Sequence, residues 1–154
     1  MCGNIPSRAS EGGLIAVMHP LKETSSSSSS SVQDMNDFKI LFNNRDNPHR
    51  TYAMFLVSDK STRRALQIHP FFNLRIGKSG DLLAATDAAS SSEPLYSFQL
   101  SATQMDNLEF ELPLKLHLGV STTGIVGRVV TVFTTGKKKE REEHVLGMGI
   151  IGWN

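Results

Sequence analysis

The sequence predicts an α+β fold: a single compact domain on a mainly antiparallel β-sheet with one or two short helices, preceded by a disordered N-terminal arm. The predicted arm is residues 1–36 and the domain is residues 37–154. Short β-branched and aromatic runs alternate with turn-forming residues throughout the domain. One segment, residues 59–69, has a helix start signal and is followed by Pro70, which stops it. Seven consecutive serines, Ser25–Ser31, mark the arm as low in complexity.

Length and charge limit the classes of function. The chain has 154 residues, with 16 Lys and Arg against 15 Asp and Glu. This length suits one domain, and the near-neutral charge means that binding to nucleic acid or anionic lipid needs a local patch. The single cysteine, Cys2, excludes an intramolecular disulfide and favours a reducing, intracellular compartment. No apolar run approaches the ~20 residues of a spanning helix, so we expect a soluble or peripheral protein.

The predicted arm has too few periodic apolar residues to offset the entropy of ordering. It contains one apolar segment, GGLIAVMHPL, at residues 12–21. This segment is predicted either to be weakly ordered or to dock on another subunit or partner. The candidate self-association residues are Leu14, Ile15, Val17 and Met18, together with Trp153 in the last predicted strand.

The domain begins with a predicted hairpin. DFKILF (37–42) and RTYAMFLVS (50–58) flank NNRDNPH, whose Asn, Asp and Pro residues suit a turn. The helix that follows has Asp59 or Ser61 as its N-cap. FFNLRI (71–76) is then predicted to be a strand that ends at a Gly-rich turn.

Four further strands complete the predicted sheet. LYSFQLS (95–101) follows a surface loop, and LEFELPLKLHLGV (108–120) shows the clearest alternation of apolar and polar residues. Pro113 suggests an edge or a bulge in the latter strand. GIVGRVVTVFTTG (124–136) is expected to pair with that strand, and VLGMGIIGW (145–153) is the last strand.

No residue pattern nominates an active site. The five histidines lack metal-ligand spacing, and GKSGD (77–81) lacks the upstream glycine of a phosphate-binding loop. We therefore expect a protein that is not an enzyme, with no catalytic residue, metal or cofactor and no small-molecule substrate. Six phenylalanines on apolar strand faces are predicted to pack in the core: Phe38, Phe42, Phe55, Phe71, Phe110 and Phe133.

Two basic clusters are candidate contacts for membrane or ribonucleoprotein. The first is Lys60, Arg63 and Arg64, and the second is Lys137, Lys138, Lys139 and Arg141. Glutamates partly neutralise the second cluster. Each cluster is either a solvated surface or a weak anionic contact, at about 1 kcal/mol per basic residue near an anionic leaflet. Such weak contacts need avidity to be effective.

Four stretches, taken in order, resemble the matrix proteins of rhabdoviruses, especially the short ones of plant viruses. They are FKILF, DNPHRTYAMFLV, the alternating strand leading into TGIVGRVVTVFTT, and EREEHVLGMGIIGW, over roughly residues 36–154. The resemblance implies a structural protein of the virion that forms a polymer or lattice with itself and condenses the viral nucleocapsid. It also implies a link to the inner face of the envelope, through weak peripheral contact with an anionic membrane surface. Residues 1–36 depart from the family, since they are not strongly basic and lack Pro-Pro-x-Tyr.

Two alternatives remain open at the level of sequence. A plant-virus movement protein, or another nucleic-acid-binding transport protein, predicts salt-dependent binding to single strands. A cellular β-rich protein-interaction module predicts one discrete partner at an exposed strand edge and no polymerisation. A matrix protein predicts lattice formation and association with lipid, found in the virion, the host cytoplasm and at the inner membrane face.

Overall fold

The computed structural model describes residues 13–21, 35–44, 49–82, 93–101, 108–135 and 143–154. Within these residues the chain forms one helix and eight strands. They are β1 (Leu14–Met18), β2 (Phe38–Asn43), β3 (Tyr52–Leu56), α1 (Lys60–Ile68), β4 (Phe71–Ile76), β5 (Tyr96–Ser101), β6 (Glu109–Glu111), β7 (Val129–Thr135) and β8 (Glu143–Trp153). All neighbouring strands pair antiparallel, in the order β5-β4-β7-β8-β1-β2-β3-β6. The predicted α+β fold on an antiparallel sheet is confirmed.

Strand β1 lies in the middle of this sheet, between β8 and β2. Its residues were assigned by sequence to the disordered arm, and that assignment is wrong for Leu14–Met18. Alternate side chains of β1 face the core, where Leu14, Ala16 and Met18 have no exposed surface. The local sequence misled because the serines that follow lower the apolar content of the whole region, while the burial that orders β1 comes from distant strands.

Four phenylalanines show that the sheet curls back on itself. The ring of Phe72, on β4, lies 5.5 Å from that of Phe55 on β3 and 5.4 Å from that of Phe110 on β6, both edge to face. Phe55 also stacks on Phe38. Strand β4 is far from β3 and β6 in the strand order, so these contacts require its inner face to oppose theirs. The core therefore lies inside one curved sheet.

The predicted strand at 108–120 is only partly correct. Its apolar residues Leu108, Phe110, Leu112 and Leu116 are buried, but the strand β6 ends at Glu111. Pro113 has no amide proton for a sheet ladder, so the chain leaves the sheet there. Leu114, at 39% exposure, and Leu118, which is half-buried, do not complete the predicted apolar face.

A buried polar cluster holds the chain after Pro113. The hydroxyl of Thr51, which is fully buried, accepts from the amide of Leu116 (2.8 Å) and donates to Oδ1 of Asn44 (2.6 Å). The side-chain amide of Asn44 donates in turn to the carbonyl of Leu116 (3.3 Å). The side chains of Thr51 and Asn44 thus supply hydrogen bonds in place of the sheet ladder that ends at Pro113. Leu116 can therefore lie in the core although it is not part of a strand.

Strands β7 and β8 lie beside each other, as a hairpin pattern would give. The expected pairing of residues 124–136 with residues 108–120 is limited to one isolated parallel bridge between His117 and Gly124, because β7 itself pairs with β4 and β8. Strand β8 also pairs with β1, and its glycines permit that contact. A Cβ on Gly149 would lie 2.1 Å from the carbonyl oxygen of Val17, whereas one on Gly152 would have that of Ile15 nearest, at 4.0 Å.

We expect Gly149→Ala to lower the free energy of unfolding by about 1–3 kcal/mol, because the new methyl group must push β1 away from β8. Gly152→Ala is the matched control in the same strand and should be neutral or slightly stabilising. Urea unfolding followed by circular dichroism measures both. Equal stability of the two variants would show that β1 does not approach β8 this closely.

We expect Thr51→Val to cost about 1–3 kcal/mol of stability, since it leaves the amide of Leu116 and Oδ1 of Asn44 without their buried partner. Hydrogen exchange at the Leu116 amide should become faster in this variant. Thr51→Ser keeps the hydroxyl and should preserve the protection of that amide, even though it loses a buried methyl group. Unchanged protection in Thr51→Val would contradict the role given to the hydroxyl.

Candidate functional site

The predicted helix at 59–69 is confirmed as α1, with Asp59 as its N-cap. The carboxylate of Asp59 accepts from the hydroxyl of Ser61 and from the amide of Thr62 (2.7 Å). These two hydrogen bonds, that from Ser61 first, lower the pKa of Asp59 from 3.8 to about 2. Asp59 therefore caps α1 as an anion across the neutral range.

One face of α1 packs against the sheet. Thr62, Ala65 and Leu66 are the buried residues of the helix. The hydroxyl of Thr62 also accepts from the backbone amide of Asn36, at 2.9 Å, just before β2. The helix is therefore held both by apolar packing and by a bond to the start of another strand, which makes its opposite face a fixed surface.

The opposite face of α1 carries the first predicted basic cluster. Lys60, Arg63 and Arg64 are all exposed. Lys60, Arg64 and Ile68 follow one another at intervals of four residues, so they line one side of the helix. Ile68 is 58% exposed and Phe71, at the start of β4, is 52% exposed. We use the name α1 face for these five exposed residues: three cations and Ile68 on the helix, and Phe71, which follows them in the chain on β4.

The cations of the α1 face have no partner within the described part of the chain. Other described arginines are engaged: Arg50 is paired with Glu111 (2.8 Å) and Arg75 lies 4.1 Å from the centroid of the Phe133 ring. Arg128 donates to the carbonyls of Lys78, Gly124, Ser121 and Thr122, which ties two loops together. No described hydrogen bond, ion pair or ring contact involves the side chains of Arg63 or Arg64.

The charge at the start of α1 departs from the pattern usual for helices. The first turn has no acidic residue inside the helix, and Lys60 occupies it instead. A cation near a helix N-terminus opposes the positive end of the helix dipole and costs a few tenths of a kcal/mol or more. The anionic N-cap Asp59 beside Lys60 offsets much of this cost, and no described ion pair or side-chain hydrogen bond involves Lys60.

The second predicted basic cluster, Lys137, Lys138, Lys139 and Arg141, lies outside the described residues. The strands on either side of it are described, and Thr135 of β7 pairs with Glu143 of β8. The register of Asn73 opposite Phe133 places the start of β4 level with the end of β7. Phe71 and Thr135 therefore lie at the same end of the sheet, although they are far apart in sequence.

The predicted self-association residues fall into two groups: some are buried in the core, and the others are at least partly exposed. Leu14 and Met18 are fully buried in the core of their own chain, so they are not available for docking while β1 stays in the sheet. Ile15 is half-buried, and Val17 is 40% exposed, on the outer side of β1. Trp153, at the end of β8 opposite Leu14, is 44% exposed.

Two members of the α1 face were missed by sequence reasoning. Phe71 was predicted to be a core residue because its neighbours in β4 are apolar, and that is wrong. Its own strand alternation, with Phe72 and Leu74 inward, was the available signal. The exposure of Ile68 was also missed. The signal for it is its four-residue spacing from Lys60 and Arg64, which places it on the exposed side of the helix.

The described residues contain no cluster of His, Cys, Asp or Glu that fits a metal ion. Nor does any helix among them have the length and apolar character to cross a membrane. No protein-family model matches the sequence, and a search of curated proteins finds no significant match. The α1 face is therefore interpreted from its own chemistry: a positive, partly apolar surface on a rigid support.

We expect the cap at Asp59 to give the protein a specific acid response. The pKa of Asp59 is lower in the folded chain than its ordinary 3.8, so the ionised form stabilises the fold above about pH 4. That stability is lost as the pH falls from about 4 to about 2. In Asp59→Asn, which keeps a capping oxygen, the difference in unfolding free energy from wild type should shrink over this range. A constant difference from pH 5 to pH 2, measured by urea unfolding, would contradict it.

Proposed function

We propose that this chain is a structural viral protein of the matrix type. In this role it self-associates, condenses the nucleocapsid and links it to the inner face of an envelope membrane. The observation that carries the proposal is the α1 face, in which Lys60, Arg63 and Arg64 are exposed on the helix, with Ile68 one turn beyond Arg64 and the exposed Phe71 following at the start of β4. Cations beside exposed apolar side chains suit the boundary between anionic lipid headgroups and the hydrocarbon below them.

The strength of one such contact is small. Three basic residues contribute about 3 kcal/mol at an anionic leaflet. Ile68 and Phe71, each already about half-covered, add about 1 kcal/mol each when buried further. A total near 5 kcal/mol corresponds to a Kd on the order of 0.1 mM. A single copy therefore binds a membrane only transiently.

A weak contact of this size suits a protein that acts in multiple copies. Linking copies turns later binding events into local ones, and avidity can exceed a single affinity by about 10²–10⁴-fold. Assembly would therefore decide whether the protein is on the membrane. This supports the matrix role over a cellular module with one discrete partner, for which each contact must be sufficient alone.

Self-association is best tested with point substitutions. Removing residues 1–36 takes away β1, a central strand, and so exposes the edges of β8 and β2. Loss of polymerisation after that deletion would report unfolding or a new edge as readily as a lost docking segment. Substitutions at exposed side chains keep the sheet intact.

We expect Arg64→Glu to lower partitioning onto phosphatidylserine-containing vesicles roughly tenfold or more, because one attraction becomes a repulsion. Phe71→Ala should lower it by a smaller factor that changes little with salt, since the lost term is apolar. Vesicle sedimentation at two salt concentrations measures both effects, with pure phosphatidylcholine vesicles as the uncharged reference.

Lys115→Glu is the matched control for charge. Lys115 is exposed on the loop after β6, and this variant changes the net charge by the same amount as Arg64→Glu. It should retain vesicle binding. Equal loss in both variants would show that net charge, not the α1 face, governs binding. Salt-steep binding of wild type to single-stranded RNA without vesicle binding would instead favour the nucleic-acid transport class.

A further inference from the structure

The outer face of the sheet is apolar across four neighbouring strands, β8, β1, β2 and β3. Two cross-strand rows form it: Ile15, Leu41 and Met54 are directly opposite one another, and so are Val17, Lys39 and Leu56. Val17, Leu56 and Ile150 are about 40% exposed, while Ile15, Leu41 and Met54 are half-buried. We call the six apolar residues the outer apolar face: Ile15, Val17, Leu41, Met54, Leu56 and Ile150.

The outer side of strands β4 and β5, in the other half of the sheet, is mostly polar. On β4, β5 and β7 the outward side chains in register are Asn73 opposite Gln99, and Arg75 between Ser97 and Thr131. Strands β4 and β5 thus follow the usual alternation of apolar inside and polar outside except for Phe71, and on β7 the outward Phe133 is covered by the guanidinium of Arg75. In the two rows of the outer apolar face Lys39 is the one charged residue, and no polar side chain there covers its apolar neighbours.

Strand β1 is the clearest case of an apolar outer side. Its sequence, LIAVM, has no polar residue on either side. An uninterrupted apolar run is typical of strands that are covered on both faces. The inner side of β1 is covered by the core, which leaves Ile15 and Val17 facing outward. The outer side of β1 thus continues the apolar surface of β2 and β3.

We propose that the outer apolar face docks against the same face of a second copy of this chain, which deepens the self-association part of the proposed function. Charge placement favours a second copy as the occupant. Lys39 lies within the face and Glu109 lies at its margin, on β6 opposite Met54. No described ion pair involves either side chain. A two-fold contact whose axis runs over β3, midway between β2 and β6, would place Lys39 of each copy against Glu109 of the other.

The size of the face predicts a weak contact. Four strands at about 4.8 Å spacing and two rows of side chains cover about 19 by 14 Å, or roughly 270 Å² in projection. A stable interface buries about 800 Å² on each partner. The pair should therefore exchange readily in dilute solution and become populated when copies are concentrated on a surface or lattice.

Charge exchange tests the pairing directly. In sedimentation velocity of the full chain over a concentration series, Lys39→Glu and Glu109→Lys should each weaken dimerisation roughly tenfold. The double variant, Lys39→Glu with Glu109→Lys, should restore it, because each copy then presents the exchanged charges to the other. Rescue by the second substitution excludes simple misfolding as the cause of either single effect.

A second variant tests the apolar part of the face. Leu56→Glu, on the outer side of β3, should abolish dimerisation while Gln99→Glu, on the polar outer face of β5, should leave it unchanged. Thermal unfolding of all variants reports whether the fold survives. Dimerisation of every variant equal to that of wild type would overturn the proposed interface.

The combined results distinguish a failure of the proposed interface from a failure of the proposed function. If wild type stays monomeric at all concentrations, both the interface and the self-association part of the proposed function fail. If wild type associates but the charge exchange changes nothing, only the interface fails. If the charge exchange behaves as expected but vesicles are not bound, the interface stands and the membrane role fails.

Discussion

The pairing of β1 with β8 on one side and β2 on the other is the interaction on which the rest of the fold depends. The strands β5-β4-β7-β8 and β2-β3-β6 are joined in the sheet through β1. The backbone of His19 extends this link with two hydrogen bonds to Met148, of 2.8 and 3.1 Å. Without β1 there would be two half-sheets with unpaired inner edges, which is a hazard for aggregation. The glycine at 149 is the local condition that lets β1 approach closely enough.

The curvature of the sheet and the position of α1 both depend on the pairing of β1 with β8 and β2. Because β1 makes one sheet of two halves, Phe72 on β4 can meet Phe55 and Phe110 across the core. The helix α1 connects β3 in one half to β4 in the other, and Leu66 enters the same core. The helix backbone that carries the cations is therefore held by contacts made on the opposite side of α1. Binding then costs the ordering of the exposed side chains but not of the helix itself.

Sequence patterns predicted the elements that carry their own local signals. The β2–β3 hairpin, the capped helix α1, and strands β4, β5 and β8 fall where alternation, turn residues and Pro70 place them. The patterns failed where the deciding contact is distant in sequence. Strand β1 is ordered by β8, at the other end of the chain, and residues after Pro113 are held by Thr51 and Asn44. For the α1 face, composition identified the cations, and the exposure of Phe71 follows from the alternation in β4, where Asn73 and Arg75 lie on its side and Phe72 and Leu74 face the core.

The two surfaces have different consequences for assembly. A two-fold contact through the outer apolar face is closed, so it makes pairs and does not by itself propagate a lattice. Each pair, however, carries two copies of the α1 face on one rigid unit. With a single-site Kd on the order of 0.1 mM, an effective concentration in the millimolar range for the second site strengthens binding about tenfold or more. If both proposals hold, pairing and membrane contact reinforce each other, because a surface concentrates copies and pairing lengthens their stay. Each contact would be weak alone, and binding would be strong only where both are satisfied.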